Sequence, residues 1–120
     1  MINFKTLKVW ELTHKITLDV YKLTSCFPKE EIYGLTLQMR HSSSSIPTNI
    51  AEGCGRSSDL ELSRFLVIAM GSASELEYQL ILSLDLKYIE EDQYKTINTE
   101  LIQAKKMLNA FIKKINERIN

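Results

Sequence analysis

Between Ser42 and Ser58 the chain reads SSSSIPTNIAEGCGRSS, a composition that suits a linker as well as it suits a helix. The choice decides what 120 residues can fold into, because a linker here would leave two pieces too small to hold separate cores. The apolar spacing does not break across the tract. Leu35, Met39, Ser42, Ile46, Asn49 and Gly53 step by four and three, with Ile32, Ile50 and Ala51 beside them, so the spacing predicts a helix from Glu30 to Arg56. Pro47 removes one backbone donor and crowds the carbonyl of Ser43, at a cost of about 3 kcal/mol in an ideal helix. A kink relieves the clash, and serine hydroxyls can bond the freed backbone groups. A continuous helix over this segment would run about 40 Å and match its neighbours, whereas a break at Pro47 leaves two stubs that match nothing.

The neighbours are marked by cleaner stripes. Val9, Thr13, Ile16, Val20, Leu23 and Phe27, widened by Trp10 and Tyr21, define a first helix that ends where Pro28 follows Phe27. Leu62, Leu66, Ala69, Ala73, Leu76, Leu80 and Leu84 define a third, with Ser58 or Asp59 as N-cap and Glu61 in its first turn. Ile97, Leu101, Ala104, Leu108, Phe111, Ile115 and Ile119 define a fourth, with lysines 105, 106, 113 and 114 mostly off the stripe. These three are expected to span roughly 20 to 28 residues each. Small residues (Ser42, Ser45, Ala51 and Gly53 on the second helix, and Ala69, Gly71, Ser72 and Ala73 on the third) should allow close approach at mid-bundle. No Asn-Gly or Asp-Gly hairpin signal or sustained alternation argues for sheet. Short connections make neighbours antiparallel. The expected fold over residues 1–120 is therefore one all-α domain, an up-down-up-down four-helix bundle with a proline-kinked second helix.

Fifteen basic residues balance fifteen acidic ones, and 44% of the chain is apolar, as in ordinary globular domains. Apolar runs such as Phe65 to Met70 fall short of the ~20 residues that span a bilayer, and MINFKTLKVW lacks the apolar block of a signal peptide. A cytoplasmic protein without membrane contact is the expectation. Cys26 and Cys54 carry neither CxxC nor Cys-His spacing, so two buried thiols are expected rather than a disulfide or zinc site.

The run FPKEEIYGLTLQMRHSSSSIPTNIAEGCGR, with Trp10 upstream and FLVIAMGSASELEYQL downstream, resembles the four-helix bundle proteins first noticed as products of intervening sequences within bacterial 23S ribosomal RNA genes. The resemblance covers nearly the whole chain. It is carried by Tyr33-Gly34-Leu35, Gln38, Arg40, Ser45-Ile46, Asn49-Ile50-Ala51-Glu52-Gly53, Arg56, Phe65-Leu66, Gly71-Ser72 and Glu75. Relatives include an accessory protein of diversity-generating retroelements. The resemblance implies an antiparallel bundle, a ring-like homo-oligomer, typically a pentamer, and nucleic-acid binding; no catalytic activity is established for the group. Where family members usually carry a second basic residue after Arg40, this chain has His41, a mostly neutral imidazole at pH 7.

Glu11-x-x-His14 has the spacing of half a di-iron site, but the further carboxylates Glu52, Glu75 and Glu100 fall at different heights, so no metal or other cofactor is expected. His14 reads instead as a helix-surface or interface residue near Glu52. Asn49, Glu52 and Arg56 share one face of the second helix, and Glu75 interrupts the third; buried polar groups of this kind fix register or subunit contacts. Arg40 belongs with His14, Asn49, Glu52 and Glu75 in this structural or interface set. Cys54 and the serines have no triad partner, and Gly53-Cys54-Gly55 lacks the GK[ST] of a phosphate loop, so neither catalytic residues nor a small-molecule substrate is predicted.

Charge is distributed unevenly. Residues 58–90 hold six acids against two bases. Folding the four helices in order gathers Lys5, Lys8, Arg56, Arg64, Lys113, Lys114 and Arg118 at one end, diluted by Glu11, Asp59, Glu61 and Glu117. Glu30, Glu31, Asp85, Glu90, Glu91 and Asp92 gather at the other. The function expected from sequence is a non-enzymatic bundle that self-associates and takes RNA or a ribonucleoprotein as its further partner, the basic end being repeated around the ring. The alternative is a protein-binding scaffold without nucleic-acid contact.

Overall fold

The computed structural model describes residues 2–119, and these contain four α-helices, two 3-10 turns and no strand. The helices are α1 (Lys8–Thr24), α2 (Leu35–Cys54), α3 (Asp59–Asp85) and α4 (Glu91–Ile119). The chain is an all-α four-helix bundle, 47 Å along its longest axis. Each helix packs on its neighbours in sequence and α1 closes against α4, while α1 and α3 sit diagonally without touching. Thr17 meets Ser43, Ser42 meets Gln79, and Ser63 meets Asn116. On α2 and α3, Met39 pairs with Ser83 and Ser45 with Ser72, so those two helices run antiparallel.

The serine-proline tract is helical. α2 continues through Pro47 and ends only at Cys54. The carbonyl that Pro47 leaves without its usual donor belongs to Ser43, and the Thr17 hydroxyl of α1 lies 2.9 Å from it. Rescue therefore comes from a threonine on a neighbouring helix rather than from the serines. The serines instead bond back into their own helix: Ser42 donates to Met39 O, Ser43 to Arg40 O, and Ser44 to Arg40 O at 2.8 Å.

Two helix boundaries differ from the sequence expectation. α2 starts at Leu35 rather than Glu30, because residues 29–31 form a 3-10 turn and the Glu31 carboxylate folds back to accept the Leu35 N–H at 3.1 Å. Tyr88 holds that carboxylate from the far side, its phenol donating at 2.9 Å. A Cβ at Gly34 would lie 2.6 Å from the capping oxygen, so a larger residue there would push the Glu31 carboxylate off its cap. At 20 residues α2 is about 30 Å long, not 40 Å. α1 ends at Thr24, where Ser25 bonds Lys22 O and Arg40 bonds Tyr21 O; Phe27 is buried beyond the helix, against Tyr88. The four helices hold 17, 20, 27 and 29 residues, so they are rods of unequal reach.

The core follows the predicted stripes closely. Ile16, Met39, Ile46, Leu66, Leu76, Leu80, Leu101 and Leu108 are all at most 1% exposed, but Leu23, Leu84 and Phe111 are only half-buried, and Ile32 and Ile119 are exposed. Small residues do close the seam between α2 and α3. A Cβ at Gly53 would fall 2.9 Å from the Phe65 Cβ, and Ser45 and Ser72 bond at 2.8 Å. Gly71 does not belong to that seam: it is exposed, with open space where a Cβ would point. Of the two thiols only Cys54 is buried, and burial pushes its pKa up; Cys26 is exposed. By length and composition alone α3 is long and apolar enough to cross a membrane, and 33% of its most apolar window is buried in the bundle.

Candidate nucleic-acid interface

The seven predicted basic residues lie on segments that meet at one end of the bundle. Lys5 and Lys8 sit on the first 3-10 turn and the start of α1, Arg56 follows α2, Arg64 is in the second turn of α3, and Lys113, Lys114 and Arg118 close α4. All seven are exposed. The ends are tied together by the Ser63 hydroxyl donating to Asn116 at 2.6 Å and by Arg118 pairing with Asp59 at 3.3 Å. Arg56 pairs with Glu52 at 3.4 Å and lies 4.8 Å over the Phe65 ring. The other five make no ion pair among the described residues. Their charge is open to solvent and to counter-ions.

Two concavities shape this end. A polar cleft of about 270 Å³ is lined by Arg56, Ser57, Ser58, Asp59 and Arg118 beside the start of α3, where Ser58 caps the helix by accepting the Glu61 N–H. An open groove of about 670 Å³ runs along α4, with Lys106 and Lys113 two turns apart on one face and Asn109 and Asn116 between and beyond them. Lys106, Asn109 and Asn116 were absent from the sequence-derived set. The i, i+7 spacing of Lys106 and Lys113 was the signal available for the first. Lys114 lies about 100° around the helix from Lys113 and does not line the groove.

The polar set resolves into separate roles. Arg40 is an internal brace: its Nε donates to the Thr24 hydroxyl at 2.9 Å, its Nη2 to Tyr21 O, and its guanidinium stacks over the Tyr21 ring. Asn49 bonds Ser45 within α2. His14 stacks on Trp10 at 5.2 Å and makes no ion pair with Glu52. Glu52 and Glu75 are exposed, on the outward sides of α2 and α3, and Glu52 pairs with Arg56 one turn on. No group of three or more His, Cys, Asp or Glu that could hold a metal occurs among the described residues.

A bundle of four helices whose basic and acidic residues gather at opposite ends defines a class of small all-α proteins. The chain belongs to the 23S rRNA-intervening sequence protein family, whose pattern matches residues 5–110. It is similar to a solved Bacteroides thetaiotaomicron protein of unknown function from the S23 ribosomal protein family: 28% identity, TM-score 0.79, covering 88% of this chain and 98% of that one. Neither description names a catalytic activity. No curated protein matches the chain.

Proposed function

We propose that this protein is a non-catalytic, self-associating bundle whose basic end contacts RNA or a ribonucleoprotein. The observation that carries the reading is the segregation of seven exposed bases to one end, five of them without an ion pair among the described residues, in a chain of zero net charge. A neutral monomer has little general attraction for a polyanion. Side-by-side copies in a ring, which the family resemblance leads one to expect, present that end several times over and sum its field on one rim.

The test is RNA binding across a salt series. Structured and single-stranded RNA should be retained at about 50 mM salt and released steeply toward about 200 mM. Lys113→Glu with Lys114→Glu should weaken binding without altering sequence preference, because phosphate contacts position rather than specify. Absence of retention at the lowest salt overturns the RNA reading. The protein-scaffold reading is favoured by one observation of its own, the apolar surface that α3 leaves exposed.

A further inference from the structure

α3 spends apolar residues on its outer side. Leu60, Val67, Tyr78 and Ile81 recur along one line, with Gly71 and Ser74 between them at the same four-three spacing. The four large side chains are 41% to 61% exposed, and Ile68 beside them is 51% exposed. A mid-helix glycine costs about 1 kcal/mol relative to alanine, and nothing within this chain presses on Gly71 to require it. A glycine flanked by exposed apolar side chains is what a closely approaching second helix needs. Arg64 and Asp85 fall on the same line, and charges at those positions are costly in lipid, which turns the choice of occupant from a bilayer to a protein.

This chain supplies a matching surface on α1. Leu18 and Tyr21 are 51% and 44% exposed, and Lys8 and Lys22 have no ion-pair partner among the described residues. On α3 the exposed, unpaired Glu75 and Asp85 outnumber Arg64, as Lys8 and Lys22 outnumber the exposed Glu11 on α1, so the two faces carry opposite excess charge. Heights agree as well. Thr17 bonds Ser43, and the adjacent Ser42 bonds Gln79, which places Thr17 level with Gln79. In copies that point the same way, Leu18 and Tyr21 then stand level with Tyr78 and Ile81, Lys22 with Asp85, and His14 with Glu75. α1 and α3 occupy opposite corners of the bundle, so a contact between them is head-to-tail and propagates around a ring.

We infer that the outer face of α3 on one copy packs against the outer face of α1 on the next, with the bundles parallel and their basic ends on one rim. This rests on the self-association proposed above and names its two faces. The test uses two single variants at exposed positions, Tyr78→Asp on α3 and Leu18→Asp on α1, with the mass in solution followed by light scattering and folding by circular dichroism. Each variant should keep wild-type helicity and fall to monomer mass. An equimolar mixture should give a one-to-one dimer, since each variant retains the face the other lacks. If the wild type assembles and either variant still does so, or the mixture stays monomeric, the assigned faces are wrong while self-association stands. A monomeric wild type defeats both. Flotation of wild type but not Tyr78→Asp with neutral phosphatidylcholine vesicles, in place of assembly, would assign the α3 face to lipid and overturn the inference.

Discussion

Thr17→Val is the substitution that best isolates how α2 tolerates its proline. The Thr17 hydroxyl is 2.9 Å from both Ser43 O and Thr13 O, and it has one proton to give. Thr13 O already has an in-helix donor in the Thr17 N–H, whereas Ser43 O lost its donor to Pro47. The proton therefore matters at Ser43. Valine keeps the shape of threonine and removes the donor, leaving a buried carbonyl unpaired at a cost of about 1–3 kcal/mol. In a Pro47→Ala background, the alanine N–H supplies the bond from within α2, and Thr17→Val should then cost under about 0.5 kcal/mol. Urea unfolding of the two single variants, the double variant and the parent, followed by helical circular dichroism, gives the coupling directly. A coupling of about 1–2 kcal/mol is expected. Equal costs of Thr17→Val in both backgrounds would refute the pairing of hydroxyl and proline.

Alanine at two glycines should act with opposite signs. Gly53→Ala places a methyl 2.9 Å from the Phe65 Cβ and 3.0 Å from Leu62 Cδ1, and the overpacking of about 1–3 kcal/mol outweighs the gain in helix propensity. Gly71→Ala meets nothing in the protomer and should stabilise the Tyr78→Asp monomer by about 1 kcal/mol; thermal unfolding that moves both variants the same way contradicts this assignment. Alkaline titration should show Tyr88 ionising above the usual phenol range, because its hydrogen bond to Glu31 holds its pKa up. The neutral phenol is the form the fold holds, so its contribution is full below the unfolded pKa of about 10 and is lost as pH rises through the raised folded value. Tyr88→Phe should flatten that alkaline loss of stability, and an unchanged alkaline limb would count against the bond.

Periodicity made the four helices legible, because the identity of a buried face depends only on local spacing. It also predicted correctly that Ser42, Ile46 and Gly53 lie inward across an unpromising composition. The basic end was legible for a related reason: helix order alone decides which termini meet. What escaped were matters of register between helices. Thr17 as donor to Ser43, and Glu31 as cap for α2, depend on side chains brought together from distant segments. Gly53 and Gly71 look alike as small residues within helical stretches, yet one faces a neighbouring helix and the other faces solvent. Glu75 likewise interrupts an apolar helix in sequence but lies on its outer side in space.

The height match of α1 and α3 and the gathering of bases at one end both require that Ser42–Glu52 be coiled within the bundle. Native-state amide hydrogen exchange reads this directly for Ile46 and Thr48 to Glu52, the residues flanking Pro47. The amides there should be protected to a degree comparable with those of Leu66 to Leu80 in α3, exchanging only when the bundle opens. Exchange at the rates of an unstructured peptide across that stretch would contradict a helical tract.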